Sequence, residues 1–260
     1  MKKLLVGAAV MFAIAGPAVA ADMPLKAPVR MAPIFSWTGC YIGGTAGGYW
    51  AKSDFTGLPT GAFLTGEPAV IPNLTAVSSG TLKNSGFIGG GEAGCNVLND
   101  NRILLGFELD VSELHLSQSS VVTGPGDPTA PGTTLTATTS VTANWLSTFR
   151  ARVGVTNDHW LFYTTFGVAL ANVTFSQSVF FSASGSTQAG TNSNLLYGWT
   201  AGGGIEYALT NNWSIKGEYL FVDLGNQTVN ELNPGFPTFT QLTRNDVKIS
   251  IARFGLNYRF

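Results

Sequence analysis

The chain contains eight stretches of residues with a two-residue alternation, and the gaps between them alternate strictly between long and short. The stretches are residues 37–51, 85–96, 102–116, 144–156, 160–176, 194–208, 213–224 and 246–260, separated by 33, 5, 27, 3, 17, 4 and 21 residues. The short gaps contain turn residues such as Asn157 and Asp158, whereas the long gaps are rich in Gly, Pro, Ser and Thr. An even strand number with every long connection at one end is typical of an outer-membrane barrel. The sequence therefore predicts an all-β fold, an eight-stranded antiparallel up-and-down transmembrane β-barrel, with external loops at 52–84, 117–143, 177–193 and 225–245.

Composition decides between a water-soluble and a membrane-embedded barrel, because alternation alone fits both. Only 11% of the residues are charged, against about 25% in an average soluble domain. The apolar faces are therefore expected to point to lipid and the charged faces into the lumen. The net charge of −1 gives no reason to expect a nucleic-acid partner.

The first 20 residues have the features of a secretory signal peptide. Lys2 and Lys3 precede a short apolar run, and Ala18-Val19-Ala20 is a typical cleavage site. Residues 21–36, which contain three prolines, are predicted to form an extended periplasmic leader. The predicted organisation is thus a signal peptide (1–20), a leader (21–36) and a barrel (37–260) in the outer membrane of a Gram-negative bacterium, with both barrel termini in the periplasm.

Ten charged residues fall on the faces predicted to line the lumen, five acidic and five basic. An eight-stranded barrel is only wide enough for side chains to fill its interior, so these charges must pair or stay hydrated. Two interpretations remain open, a structural salt-bridge network and a narrow gated ion path. The residues are Glu92, Glu108, Asp110, Arg150, Arg152, Glu206, Lys216, Glu218, Arg253 and Arg259.

All six tryptophans lie near the ends of predicted strands, where outer-membrane barrels place aromatic girdles at the two membrane interfaces. They are Trp37, Trp50, Trp145, Trp160, Trp199 and Trp213. The stretch 160–176 is apolar on both faces, so its orientation stays open.

Several stretches resemble the alphaproteobacterial outer-membrane porin-like family, also called outer-membrane immunogenic proteins. The similar segments are 37–44, 86–91, 160–169, 198–214, 216–225 and 253–260, and the resemblance extends over nearly all of 37–260 except the long loops. The resemblance implies an eight-stranded outer-membrane barrel with surface-exposed loops and roles in envelope integrity or host contact. It transfers no catalytic residue. The chain departs from the commoner family pattern at Cys40 and Cys95, where aromatic residues are more usual.

Cys40 and Cys95 are predicted near the periplasmic ends of the first two strands. The periplasm is oxidising and the two strands are neighbours, which favours a disulfide. Strict alternation, however, assigns the two residues to opposite faces unless a β-bulge intervenes. Whether they are bonded stays open at this stage.

Two further motifs suggest chemistry only weakly. Gly89, Gly91 and Gly94 match a dinucleotide-binding fingerprint, but a turn and a strand follow them instead of the required helix. Glu113, His115 and Ser117 share one face of a strand, yet residues two apart lie about 7 Å from each other, which is long for a nucleophile and its base. No cofactor and no metal site are expected.

The predicted function is that of a non-enzymatic outer-membrane protein that stabilises the envelope and makes surface contacts through its four external loops. The alternatives are a small-conductance pore and an outer-leaflet lipid hydrolase using His115 and Ser117. The expected partners are outer-membrane lipids, the barrel assembly machinery and a host or surface ligand at the loops. Nothing in the sequence specifies an oligomeric state.

The last strand is predicted to be the signal for barrel assembly. Its outward face consists of Phe254, Leu256, Tyr258 and the terminal Phe260. Val247, Ile249 and Ile251 have the opposite parity, which predicts either a bulge near Ile251 or an early end to the membrane segment. The strand is also expected to pair with the first strand and close the barrel.

Overall fold

The computed structural model describes residues 36–98 and 102–260, and these form one closed antiparallel barrel. Each strand pairs with the next in chain order, and the last pairs with the first. The strands are β1 (Gly39–Gly61), β2 (Gly80–Leu98), β3 (Ile103–Pro125), β4 (Thr134–Asn157), β5 (Trp160–Phe181), β6 (Ser186–Ala208), β7 (Trp213–Leu232) and β8 (Phe239–Arg259). The predicted signal peptide, the leader before Ser36 and the predicted turn at 99–101 lie outside the described residues. The predicted fold is confirmed.

The strands are much longer than predicted, and the predicted loop boundaries are wrong. Strand residues extend into all four predicted loops, 52–84, 117–143, 177–193 and 225–245. At the end of the barrel opposite the short turns, which we call the upper end, the connections are only 62–79, 126–133, 182–185 and 233–238. A strand needs about 9–11 residues to cross a bilayer, so each strand continues well beyond the membrane. The added segments, such as 134–143, are rich in threonine and valine, which favour strands. The outer face of these added segments is polar, so we expect this part of the barrel wall to be in contact with water above the membrane.

The connection at 62–79 contains the helices among the described residues. A 3-10 turn (Pro68–Val70) leads into α1 (Ile71–Val77). No helix in the described part of the chain has the length and apolar character needed to cross a membrane.

The orientation of β5, left open by its sequence, follows from burial. Leu161, Val173 and Phe175 point into the barrel and are fully buried, whereas Phe162 and Phe166 point outward. Both faces are apolar because the upper half of the lumen is itself apolar.

The pairing of β8 with β1 closes the barrel as predicted. The register runs without a shift from Tyr41 opposite Arg259 to Gly61 opposite Phe239. The bulge predicted near Ile251 is therefore absent from this pairing. Ile251 instead points inward and is fully buried, while the outward face turns polar from Lys248 upward. The membrane-spanning part of β8 therefore ends early, which is the second of the two alternatives predicted from the sequence.

Five of the six tryptophans occupy the outer wall in two bands. Trp37 is the exception, because its side chain is 2% exposed and lies inside the lower mouth of the barrel. The girdle prediction is wrong for this residue, since the segment before β1 turns inward. Near the short-turn end lie Trp160 and Trp213, and towards the other rim lie Trp50, Trp145 and Trp199.

Cys40 and Cys95 form a disulfide between β1 and β2. They are direct cross-strand partners with Cα atoms 3.9 Å apart, and no register shift separates them. The expectation that alternation puts them on opposite faces is wrong. Directly opposed residues of an antiparallel pair share a face whatever the parity of their numbers.

Candidate functional site

The ten predicted lumen charges come together inside the lower half of the barrel. Their exposures range from 0% to 6%, although they come from six different strands. Each strand contributes them from its inward face, because its alternate residues point to lipid. We call this set, together with Tyr41 and Tyr163, the charged layer.

Arg150 of β4 is the centre of the charged layer. Its guanidinium donates hydrogen bonds to Glu108, to Asp110 Oδ2 at 2.9 Å and to Glu218 Oε1 at 2.9 Å. One cation thus contacts acids from both sides of the lumen. Thr148 donates a hydrogen bond of 2.5 Å to the same oxygen of Asp110.

Arg152, two residues further along β4, makes a second group of contacts. It forms an ion pair with Glu206 and lies 3.7 Å above the centre of the Tyr163 ring. It also donates to the Tyr41 hydroxyl at 2.9 Å, and that hydroxyl donates to Glu108 Oε2 at 2.5 Å. Tyr41 therefore links the groups around the two arginines.

Lys216 and Arg253 complete the pairing of the acids. The Lys216 ammonium lies 2.6 Å from Glu92 Oε2 and 3.0 Å from each oxygen of Glu108. Arg253 forms ion pairs with Glu218 at 2.8 Å and with Asp110 at 3.2 Å. Because five basic and five acidic residues share one buried compartment, the layer has no net formal charge and each charge has an opposite charge nearby.

Trp37 covers the lower end of the charged layer. Its indole packs with Leu104, Leu161 and Ala208 and donates to the Asp158 carbonyl at 3.1 Å. The Arg259 guanidinium lies 4.8 Å from the centre of the indole ring. The residue expected in a girdle thus closes the lower mouth.

An apolar layer fills the lumen above the charged layer. Its members are almost completely buried and come from all eight strands. They include Tyr49, Ile88, Leu114, Leu146, Phe175, Leu220 and Ile249. An interior packed in this way excludes water and ions, since protein cores contain few voids as large as a water molecule.

A polar layer lies above the apolar one and contains an acid that forms no ion pair with any residue the structure describes. Glu231 is 0% exposed, and one of its carboxylate oxygens accepts a hydrogen bond of 2.5 Å from Thr243. Its other oxygen is unpartnered, as are the amide oxygens of Gln188 and Gln241. Burial raises the pKa of Glu231 to about 7. A proton on Glu231 would supply a donor to a layer that has surplus acceptors.

The connection 62–79 closes the upper mouth. Phe63, Val70, Leu74 and Val77 are buried against residues of β4 and β5. The Asn73 amide donates to the Gly126 carbonyl at 2.8 Å. The connection is thus a plug attached to the wall, and we call it the upper plug.

The other motifs do not form a site. Gly94, the last glycine of the fingerprint, lies within β2, and a Cβ atom there would come within 2.5 Å of the Tyr41 hydroxyl. On the outer wall, the side chains of Glu113 and His115 are 74% and 81% exposed, with 3.6 Å between carboxylate and imidazole. A register shift lies between Glu113 and Leu116, before Ser117.

Tyr41, Tyr163 and Glu231 were not predicted from the sequence as interior partners. Tyr41 shares the inward parity of β1, and that parity could have identified it. Tyr163 required the orientation of β5, and Glu231 lay in a segment predicted to be a loop. The four outward residues of β8 predicted to form the assembly signal, Phe254, Leu256, Tyr258 and Phe260, are 39–78% exposed on the outer wall.

Comparisons with known proteins agree with this architecture. Residues 7–260 match the family model described as the outer membrane protein beta-barrel domain. The chain is 35% identical to the 31 kDa outer-membrane immunogenic protein of Brucella melitensis over 263 residues, which cover 99% of this chain and 98% of that protein. It is 24% identical to the 25 kDa outer-membrane immunogenic protein of Brucella abortus over 265 residues, or 100% and 99% of the two chains.

Among solved structures, the outer membrane protein OprG of Pseudomonas aeruginosa matches with a TM-score of 0.45 and 10% identity, covering 86% of this chain and 96% of that one. Neisserial surface protein A matches with a TM-score of 0.34 and 15% identity, covering 83% and 99%. The family-model match and the full-length Brucella relatives identify the family. The chain belongs to the outer membrane protein β-barrel family and is an outer-membrane protein related to the Brucella outer-membrane immunogenic proteins.

Proposed function

We propose that this protein is a sealed, non-enzymatic barrel that stabilises the outer membrane and offers its upper part for surface contacts. The observation that supports this proposal is the lumen, which is filled in series by the charged layer, the apolar layer and the upper plug. A solute would have to break ion pairs at one level and separate packed side chains at the next. The alternative, a small-conductance pore, requires both layers to open.

Conductance in planar bilayers tests the seal. We would compare the wild type with a variant in which an Asn-Gly turn replaces residues 56–79, because Phe55 and Gly80 are direct cross-strand partners that such a turn can join. Neither protein is expected to conduct steadily, because the two lower layers remain in the variant. Steady conductance of the wild type comparable to a sixteen-stranded porin would overturn the proposal. Conductance of the variant alone would favour a pore gated by the upper plug.

A non-enzymatic role is supported by the surroundings of Glu113, His115 and Ser117. These side chains lie on the open outer wall, where no enclosed site would exclude water from a reacting lipid. We expect identical lipid A mass spectra from cells producing the wild type and Ser117→Ala. A modified lipid A species that disappears with Ser117→Ala would contradict this proposal.

A row of lysines supports outer-membrane lipids as partners. Lys83, Lys52 and Lys248 are direct cross-strand partners on β2, β1 and β8, and all three are exposed. Lys52 follows Trp50 on the same outward face, just above the apolar band. Like charges placed opposite one another are unfavourable. Lys52 pairs with Asp54 at 2.7 Å, but no ion pair joins Lys83 or Lys248 to a carboxylate among the described residues. Anionic lipid headgroups at this level would neutralise the row.

Thermal unfolding in vesicles tests the lipid contact. Phosphatidylglycerol vesicles are expected to raise the Tm of the wild type above its value in phosphatidylcholine vesicles. Replacing Lys52, Lys83 and Lys248 by Gln should abolish that difference, and replacing them by Arg should keep it. A triple Gln variant with the full wild-type difference would remove the support for this contact.

Phe260 is proposed to act in assembly by the barrel assembly machinery. Its ring is 70% exposed, and its backbone N–H donates to the Cys40 carbonyl at 3.2 Å. Deleting Phe260 is expected to lower outer-membrane levels in cells while refolding into detergent stays intact. Wild-type levels of the deletion variant would instead assign Phe260 to the aromatic girdle.

A further inference from the structure

The four upper connections meet around one pocket at the outer end of the barrel. Its volume is about 270 Å³, close to the lower limit of small-molecule sites, about 300–1,000 Å³. The pocket lies above the filled lumen and opens to the outside of the barrel. Each of the four connections contributes to its lining, through Phe63, Gly126, Ala183 and Phe236 respectively.

Four phenylalanine rings form a continuous aromatic wall in this pocket. Phe63 meets Phe239 edge-on, with 4.9 Å between the ring centres, and stacks with Phe181 at 6.0 Å. Phe236 meets Phe239 edge-on at 6.3 Å and is itself 46% exposed at the rim. The face of an aromatic ring attracts a cation that lies within about 6 Å of its centre. The wall therefore suits an apolar group, and a positively charged one in particular.

The charges of the upper connections are all negative and all line this pocket. The four connections contain two charged residues, Glu67 and Asp127, and both belong to the lining. Among the described residues, no basic side chain lines the pocket and none forms an ion pair with either carboxylate. Charge complementarity therefore favours a cation here and disfavours an anion.

The uncharged polar groups of the pocket are already hydrogen-bonded to one another or to the backbone. Asn233 donates to Ser186 Oγ at 3.0 Å and accepts from the Gly235 N–H at 3.0 Å. Ser186 shares a hydrogen bond of 2.7 Å with Ser184. The Thr133 hydroxyl both accepts from and donates to backbone groups of its own connection. A primary ammonium would thus find few free acceptors for its three N–H groups, whereas a quaternary ammonium needs none.

We propose that this pocket is a binding site for a trimethylammonium group, which the phenylalanine rings contact through its methyl groups and which Glu67 and Asp127 attract through its charge. Aromatic rings recognise quaternary ammonium ligands in this way. The expected source is a free organic cation such as choline. A phosphocholine headgroup is disfavoured, because its phosphate would lie beside the two carboxylates. The inference rests on the proposed role of the upper end in surface contacts, but not on the sealed lumen.

Saturation-transfer NMR tests the site on the refolded full-length barrel in dodecyl maltoside, a detergent without an ammonium group. Choline is compared with two matched probes. The first, 3,3-dimethylbutanol, keeps the shape of choline and replaces its charged nitrogen by carbon, whereas ethanolamine keeps the charge and lacks the three methyl groups. Choline is expected to bind about tenfold more tightly than either probe, because each lacks one of the two features that the pocket recognises.

Variants assign the binding to this pocket. Glu67→Gln combined with Asp127→Asn should weaken choline binding about tenfold and bring choline and 3,3-dimethylbutanol to the same affinity, since the pocket then lacks charge. Phe236→Leu should weaken choline binding about threefold. The matched controls Glu113→Gln and Phe180→Leu, at exposed residues outside the pocket, should bind as the wild type does. The gel mobility of unboiled samples verifies that every variant is folded.

Phosphocholine identifies the source of the group. Weaker binding than that of choline assigns the site to a free cation, whereas equal binding assigns the same trimethylammonium site to a phosphocholine-bearing surface. The proposal is overturned if choline does not bind, or if the double variant binds it as tightly as the wild type. Ethanolamine that binds as tightly as choline would also overturn it, and would assign the pocket to basic side chains of a partner protein. Conductance tests the sealed lumen separately, so the two proposals fail independently.

Discussion

The lower and upper halves of the lumen fill the same closed wall with opposite chemistry. In the lower half, ten charged residues and two tyrosines form one network of ion pairs and hydrogen bonds across the barrel. In the upper half, leucine, isoleucine, valine and phenylalanine side chains pack without polar contacts between them. Both halves exclude water, but charges need a specific partner, whereas apolar side chains need only shape and volume.

The difference between the two halves indicates which side chains determine the order and position of the strands. Arg150 contacts acids from two other strands, β3 and β7, so its hydrogen bonds specify the positions of those strands around the ring. Leu220 in the apolar layer could be replaced by another side chain of similar volume at little cost. We therefore expect the two halves to respond differently to truncation.

The largest effect is expected for Arg150→Ala. Its removal leaves Glu108, Asp110 and Glu218 short of a cation inside the barrel, at a cost of about 3–5 kcal/mol in the free energy of unfolding. Arg244→Ala is the matched control, because Arg244 is exposed and its ion pair with Asp246 at 3.6 Å is worth about 0–1 kcal/mol. Urea unfolding of the refolded proteins measures both. Equal unfolding midpoints for the two variants would show that the buried ion pairs of Arg150 contribute no more to stability than the exposed ion pair of Arg244.

A smaller loss is expected for Leu220→Ala in the apolar layer, about 3 kcal/mol from lost burial and the cavity left behind. The lipid-facing Leu256→Ala, with a side chain 46% exposed, is the control and should cost less because lipid refills the space. Urea midpoints in the same lipid decide the comparison. If Leu220→Ala costs no more than Leu256→Ala, the apolar layer is not a packed core.

The charged layer was predictable because its residues contrast with their surroundings. The chain has few charges, yet one face of β4 contains Arg150 and Arg152 while the other contains Phe149 and Ala151. In lipid, only one orientation of this strand is favourable, the one with the arginines facing the lumen. Strand number and strand order followed from the same alternation together with the spacing of the turns.

The apolar layer was not predictable by the same rule, because its inward residues look like outward ones. Val247, Ile249 and Ile251 appeared to conflict with Phe254, and the sequence left a bulge near Ile251 and an early end to the membrane segment as alternatives; the pairing with β1 has no bulge. Both faces of β8 are apolar, one over its upper half and the other over its lower half. The interrupted pairing of β6 with β7, between Trp199 opposite Asp223 and Ala189 opposite Leu232, was hidden for a related reason, since its residues straddle the predicted strands and loops. An unpaired stretch of two strands depends on how they diverge, which local sequence does not specify.

The third effect concerns the polar layer above the apolar one, and it appears only when the pH is changed. Burial raises the pKa of Glu231 from an ordinary 4.5 to about 7 in the folded protein. The folded state therefore binds this proton more tightly than the unfolded chain does. Its contribution to stability is complete below pH 4.5, falls as the pH rises towards 7 and is absent above that. We expect wild-type stability to decrease by about 3 kcal/mol across this window because of this group.

Glu231→Gln isolates that contribution, because an amide of the same shape keeps the neutral form at every pH. The stability of Glu231→Gln relative to the wild type should rise by about 3 kcal/mol between pH 4.5 and pH 8, measured by urea unfolding in a neutral detergent. Glu67→Gln, at an exposed acid of the upper plug, should show no such trend. A difference between Glu231→Gln and the wild type that stays constant over this range would mean that Glu231 is ionised in the folded barrel. In that case the polar layer would contain a counter-charge or water, and the upper lumen would be less dry than the charged layer below it.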